Sequence, residues 1–377
     1  MKENTNMIKK CSRCVMDTTA QSIIFTGTGC KYCDRLEKKI KDGGFLTEVR
    51  APKDIHLLKD AISKNHSNNK YDCIVGVSGG VDSTYALVMA VKSGLNPLAV
   101  HMDNGWNTEL AQSNIENITN KLGVDLHTHV IKWSEYRFLM QAFFNSDVLD
   151  VELLYDNAMR AVNYDLAKKN NIKYILSGVN TSTEGIGIPE GWNWVKTDVR
   201  NIRNIANQLD PAYKFETFPN INTLQTQIYR LKGYKWLPFL DYFDYEKETI
   251  VKWLVKEYNF KPYPYKHYEN VFTRFYQGYI LPKKFNVDKR KAHLSTLVIT
   301  GQLTRDKAEL LLANSPYENE FELKKDKKYF LKKMRWTEKD LEEYIARAPR
   351  SHRDFPSEEK LARLLHVVRK IKNAFIR

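Results

Sequence analysis

Ser78-Gly79-Gly80-Val81-Asp82-Ser83, followed by Thr84, is the stretch of this chain whose residue types most clearly imply chemistry. Two adjacent glycines let successive backbone N–H groups converge on one point and form an anion nest. A helix starting at the same place adds the positive end of its dipole. Ser78, Ser83 and Thr84 offer hydroxyls to phosphate oxygens. Asp82 repels a phosphate unless a cation intervenes, which predicts Mg²⁺ bridging its carboxylate and the phosphates. The common phosphate loop places a Lys before its final Ser or Thr. Here Asp82 precedes Ser83, so the phosphates must be held in another way.

A second group is made of cysteines. Cys11 and Cys14 form one CxxC pair, Cys30 and Cys33 another, with fifteen residues between the pairs. That spacing predicts a closed tetrahedral four-thiolate Zn²⁺ site, which would lend folding energy to a segment poor in apolar residues. A redox or iron–sulfur role is the alternative. Cys73, the fifth, lies in an apolar run and reads as a small core residue.

Positioning these groups requires a scaffold. Residues 71–77, 97–102, 125–131, 173–178 and 236–243 read as strands, and 83–94, 108–123, 151–169 and 245–258 as helices. Such alternation predicts an α/β fold, a doubly wound parallel sheet with helices on both faces. The loop 182–194, rich in Gly and aromatics, is a candidate active-site loop, and 284–377 reads as mainly helical. Three units follow: a zinc-ribbon-like segment at 1–50, an ATP-handling domain at 51–260 and a helical substrate-binding region at 261–377.

Net charge is +14, and residues 261–377 hold 27 Lys and Arg against 15 Asp and Glu, a balance of +12. Acidic partners are expected: nucleotides, an anionic metabolite or nucleic acid. No segment approaches the roughly 18 uninterrupted apolar residues of a membrane span. The N-terminus is polar, with no apolar core of a signal peptide, so a cytoplasmic protein is the expectation.

In its strand–loop–helix context, SGGVDS resembles the pyrophosphate loop of the PP-loop, N-type ATP pyrophosphatases, whose fold is that of the adenine nucleotide alpha hydrolases. The resemblance implies ATP cleavage between the α and β phosphates, with AMP passed to a carbonyl oxygen. HMDNGW (101–106) resembles the segment that frames the adenine, at Asp103. SGVNTSTEG (177–185) resembles the turn near the ribose, at Gly178, with Asn180 and Glu184 beside the substrate.

Over its whole length the chain resembles the N-acetyl sugar amidotransferases of bacterial surface-polysaccharide biosynthesis. The resemblance rests on CSRCVMDTT with its second CxxC, on VGVSGGVDSTY and on KHYENVFTRFYQGYILPKKFNVDKRKAHLS (266–295). It implies conversion of the acetamido group of a nucleotide-linked or otherwise activated sugar into an acetamidine. Ammonia would come from a separate glutaminase subunit with a cyclase-like partner, since the chain carries no glutaminase signature of its own. Adenylation builds charge at the α-phosphate, and fixed cations should face it. Lys289, Arg290 and Lys284 are the candidates, with Asp288 orienting them. His267, Glu269, Arg274, Gln277 and His293 would line the sugar or nucleotide pocket, His267 and His293 having a purely structural alternative. Neither a membrane nor nucleic acid is then an expected partner. A competing reading, a tRNA thiolase, shares the loop, the knuckles and the basic C-terminal region, but needs reactive cysteines beyond those assigned to zinc. A non-catalytic nucleotide sensor would leave 266–295 without a purpose.

Overall fold

The computed structural model describes residues 8–49, 51–52, 54–64, 69–263 and 268–375; His267 lies outside them. Near the N-terminus, β1 (Phe25–Thr26) and β2 (Gly29–Cys30) make an antiparallel hairpin whose second strand ends on the first cysteine of the second pair. The main sheet follows: β3 (Cys73–Gly76), β4 (Pro97–Asp103), β5 (Leu126–Val130), β6 (Tyr174–Ser177) and β7 (Lys235–Pro238). Its order is β5-β4-β3-β6-β7, and every pairing is parallel.

Side chains alternate across this sheet with a period of two. Ile74 and Ile175 point into one core, Val75 and Leu176 into the other. Both faces must therefore be covered, which is the condition for a parallel sheet. The helix Val81–Lys92 is followed by Gly94 at φ +75, and Glu109–Leu122 is capped by Gly123 at φ +63. The Ile74 face is larger because the C-terminal helices join it: Phe272, Phe275 and Phe330 share a core with Phe144 and Trp106.

The expected fifth strand at 236–243 is shorter than its apolar run. After β7 the chain enters a 3₁₀ turn at Phe239–Tyr242. Pro238 lacks the N–H that a continuing ladder would need. The stretch beyond Ser182 also contains two helices, Val199–Leu209 and Thr223–Leu231, capped by Asp198 and Asn222. No described helix is long and apolar enough to cross a membrane.

From β3 the chain builds outward to β4 and β5, then returns to place β6 on the other side of β3. The β3/β6 pair is thus a switch point, and the crevice at its C-terminal ends is where such sheets bind ligands. The glycine loop follows β3 into that crevice.

Candidate active site

The loop between β3 and the Val81–Lys92 helix is tied by its own hydroxyls. Ser83 Oγ accepts from Ser78 N–H at 3.1 Å and donates to the Gly80 carbonyl at 3.1 Å, while Ser78 Oγ accepts from Gly80 N–H at 3.3 Å. Gly79 sits at φ +81, and a Cβ there would lie 2.5 Å from the Ala111 carbonyl oxygen. Gly80 is the N-cap, with no side chain to occupy the first N–H groups of the 12-residue helix. These are the parts of an anion site. Gly178 has a different reason to lack a side chain: its Cβ would meet the Asp82 backbone at 2.8 Å.

Of the three hydroxyls expected to face phosphate, Ser78 borders the central cavity. Thr84 is buried at 1% exposure, and Ser83 is engaged within the loop. Asp82, in the first helical turn, accepts a hydrogen bond from Tyr245 Oη. Burial, and then Asp82 itself, push the Tyr245 phenol well above its ordinary range, so it remains a donor. Asp103 closes a turn, accepting from Gly105 N–H at 2.7 Å and Asn107 Nδ2 at 3.2 Å. Beside it, burial lowers the pKa of His101, whose Nδ1 lies 2.9 Å from the Val77 carbonyl.

The segment after β4 is stitched to the C-terminal region. Thr108 N–H donates to the Glu269 carbonyl at 3.0 Å, and Val271 N–H to the Trp106 carbonyl at 2.9 Å. The Trp106 ring, fully buried, packs against Trp133 and Phe272 with centroids 5.5 Å apart in each case. This brings the Glu269 carboxylate oxygen within 3.6 Å of where a Gly80 Cβ would sit. Tyr263 Oη, donating to the Gly79 carbonyl at 2.8 Å, anchors the loop from outside.

A cavity of about 600 Å³ opens between the loop and this region. Ser78, Glu184, Glu269, Arg274, Gln277, Lys289, Arg290 and His293 all border it, so residues 215 positions apart, Ser78 and His293, share one chamber. Arg274 and Gln277 reach it from Val271–Phe275 and the π-helical turn Tyr276–Ile280, a distortion common at functional sites. His293 Nδ1 lies 2.9 Å from the Thr183 carbonyl.

These contacts correct the role expected of Lys284 and show which partners hold the other expected residues. Lys284 does not border the cavity; its side chain is fully buried, donating to the Tyr344 and Arg347 carbonyls at 2.5 and 2.7 Å and pairing with Asp147 at 3.0 Å. Arg290 reaches the cavity wall, but its guanidinium is committed to Asp288 at 2.8 Å and to the carbonyls of Leu311 and Asn314 at 3.0 Å. Asp288 orients it for that clamp and not for a phosphate. Lys289 pairs with Glu152 at 2.6 Å. Asn180 is fully buried and caps the short helix Thr181–Glu184 through Thr183 N–H at 2.8 Å. Arg274 forms a buried two-point ion pair with Asp326, 2.5 Å at each contact.

Other cavity residues escaped the motif reading: Glu152, Tyr155, Asp156 and Lys196. Lys196 Nζ lies 2.7 Å from Asp150 and 2.8 Å from Asp156. Burial alone would lower its pKa, but the two carboxylates outweigh that and raise it, so it stays charged. A weak signal existed. Glu152 and Asp156 are spaced to share a helix face, and Lys196 stands two residues beyond the flagged loop 182–194.

Residues 269–372 match the family described as LPS biosynthesis protein WbpG-like, C-terminal domain, and residues 52–208 match the NAD synthase family. Together the two matches support the resemblance to the N-acetyl sugar amidotransferases within the PP-loop superfamily. An uncharacterised protein of Methanocaldococcus jannaschii is 27% identical over 215 residues, 55% of this chain and 69% of that protein. NMN synthetase from Francisella tularensis aligns over 63% of this chain and 98% of its own, at 16% identity and a TM-score of 0.30, too low to carry an argument.

The four cysteines lie outside both matched stretches. Cys11, Cys14, Cys30 and Cys33 are all buried, and their sulfurs lie within 4.8 Å of one another. The closest approaches are 3.7, 3.8 and 3.9 Å. A tetrahedron with metal–sulfur bonds of about 2.3 Å has edges of about 3.8 Å, so the cluster is compatible with structural zinc. Arg13 and Met16 donate backbone N–H groups to Cys11 and Cys14 sulfurs at 3.4 and 3.5 Å. The knuckles brace the cavity wall: Val15 N–H donates to Ser295 Oγ at 3.2 Å, and Lys291 pairs with Asp17 at 2.6 Å. Both partners lie on the helix Arg290–Ile299, which also carries His293.

Proposed function

We propose that the protein is an ATP-dependent amidotransferase that converts the acetamido group of an activated N-acetyl sugar into an acetamidine during surface-glycan biosynthesis. The observation that carries this reading is the single cavity shared by Ser78 of the glycine loop and the wall residues Glu269 to His293, which belong to the WbpG-like region. The acetamido oxygen attacks the α-phosphorus of ATP, the bond to the β-phosphate breaks, and pyrophosphate leaves. The resulting imidate–AMP takes up ammonia at carbon, and AMP departs with the original oxygen. Amide, ATP and ammonia thus become amidinium, AMP and pyrophosphate.

Within this scheme the nest at Gly79 and Gly80, with the helix N-terminus behind it, holds the departing pyrophosphate. Asp82, oriented by Tyr245, is the candidate ligand of Mg²⁺, which would neutralise phosphate charge when bound. Lys289 and Arg290, paired with Glu152 and Asp288, shape the acceptor wall. One structural zinc at the four cysteines is part of the proposal. So is ammonia delivered by a separate glutaminase subunit and its cyclase-like partner. A thiolase would need an accessible thiol near ATP. All five cysteines are buried, and burial pushes the Cys73 thiol well up.

The test is ³¹P NMR with ATP, Mg²⁺, ammonium and a panel of nucleotide-activated N-acetyl sugars, alongside mass spectrometry of the sugar. AMP and pyrophosphate, with oxygen replaced by NH in the sugar, are expected. ADP and orthophosphate as the sole products would refute the scheme.

A further inference from the structure

The start of the Leu153–Lys169 helix presents Glu152, Tyr155 and Asp156 to the cavity along one turn. Facing them are Lys196 and Lys289. Every charge here has a partner. Lys196 bridges Asp150 and Asp156, Lys289 holds Glu152, and Gln277 Nε2 donates to both Glu152 oxygens at 2.9 and 3.0 Å. Three carboxylates against two ammonium groups leave the wall without surplus positive charge. On this wall, among the described residues, a polyphosphate or a nucleotide carrier would find no unpaired cation to hold it.

Hydroxyl groups fit such a wall, because each can donate to a carboxylate and accept from an ammonium at the same time. Capacity remains for them. Lys196 uses two of its three donors and Lys289 one, among the described residues. Tyr155 Oη makes no hydrogen bond to another described residue, although its ring is packed against the core. Burial first, and then Asp156 and Glu269, push its phenol up, so it offers a donor at any ordinary pH. Phe272, also bordering the cavity, adds an apolar ring face.

Resting on the amidotransferase reading, we propose that Glu152, Tyr155, Asp156, Lys196 and Lys289 form the subsite that holds the sugar ring of the acceptor by its hydroxyls. The phosphates of its carrier lie off this wall. Tyr155 and Lys196 are specificity-determining and positioning residues, not groups that act on the reacting atoms.

The experiment compares wild type, Tyr155→Phe and Lys196→Met by titration with UDP-N-acetylglucosamine, UDP alone and ATP with Mg²⁺. Saturation-transfer NMR identifies which protons touch the protein. Expected is an affinity loss of about tenfold for UDP-N-acetylglucosamine, with ring-proton saturation lost, and unchanged affinity for UDP and ATP. Equal weakening of UDP and UDP-N-acetylglucosamine would make this a carrier site and overturn the proposal. So would unchanged sugar affinity in Tyr155→Phe, or no ring contact in the wild type. Lys196→Met removes a buried charge and risks the fold; Tyr155→Phe loses no bond to a described residue and decides alone. Should the sugar bind as expected while ATP yields only ADP, the subsite stands and the adenylation scheme falls.

Discussion

Tyr245 Oη donates its hydrogen to Asp82, joining the link between the 3₁₀ turn Phe239–Tyr242 and the helix Lys247–Tyr258 to the first turn of the helix that follows the glycine loop. The donor is buried at 7% exposure and lies 163 residues away in sequence. It fixes the direction of the carboxylate proposed to hold Mg²⁺. Partners that orient a metal ligand are commonly worth about 10- to 100-fold in metal affinity. Tyr245→Phe should therefore raise the Mg²⁺ concentration for half-maximal pyrophosphate release by at least about tenfold, with acceptor affinity unchanged. A Mg²⁺ dependence identical to wild type would remove Asp82 from the metal site.

Gly79→Ala should abolish nucleotide binding. The residue sits at φ +81, and the added methyl would press on the Ala111 backbone, 2.5 Å from its oxygen. Holding a non-glycine residue there costs about 1–3 kcal/mol, and the loop must shift its N–H groups to relieve the contact. ATP titration and thermal unfolding measure the two effects. Retained ATP affinity would mean that the nest does not hold the phosphates.

The cysteine unit should control the acceptor wall at a distance. Lys291 Nζ contacts Asp17 at 2.6 Å and Thr19 Oγ1 at 3.0 Å, and Arg305 donates to the Cys11 carbonyl at 3.1 Å. Lys291→Met should keep about one zinc per chain yet speed amide hydrogen exchange across residues 290–299. Cys30→Ser should lose the metal and show the same local exchange. Both should spare the Val81–Lys92 helix. Uniform acceleration along the chain would indicate general unfolding and contradict a local brace.

Stability should fall in mild acid because of His352. It is 4% exposed, with Nδ1 2.7 Å from Asn201 Oδ1, Nε2 accepting from Asp150 N–H at 3.1 Å, and its ring stacked on Trp194. Burial is the main cause that lowers its pKa from 6.5 to about 4, against the opposing pull of the Asp150 carboxylate and with the aid of Lys196. Below pH 6.5 the unfolded chain binds a proton that the folded chain refuses until about pH 4. Stability is thus full above the unfolded value and declines through that window, by about 3 kcal/mol in all. Denaturant titrations of wild type and His352→Gln from pH 7.5 to 4.5 should give a flatter profile in the variant. Parallel profiles would locate the acid sensitivity elsewhere.

Three features of this protein were legible in its sequence because short-range chemistry imposes them. Gly79 and Gly80 between an apolar run and a helix specify a nest through backbone conformation alone. The CxxC pairs specify a four-sulfur cluster because two residues between thiolates suit one knuckle, and the structure brings all four sulfurs together. Short apolar runs alternating with helices specify a parallel sheet, and five parallel strands are observed.

What tertiary structure alone decided was the partner of each charge. Lys284 and Lys289 are both basic and five residues apart, and local sequence treats them alike. The helix Leu281–Phe285 ends at Asn286 in the left-handed region, φ +53, and the chain turns there. Lys284 stays under the Tyr344 and Arg347 carbonyls, while Lys289, past the turn, reaches Glu152 on the cavity wall. That pair spans 137 residues and Tyr245–Asp82 spans 163. Burial makes pairing compulsory for each such ion, since an unpartnered charge in a low-dielectric interior costs several kcal/mol. Residue type thus announces that a partner is needed; which carboxylate or carbonyl supplies it depends on contacts that only the folded chain creates.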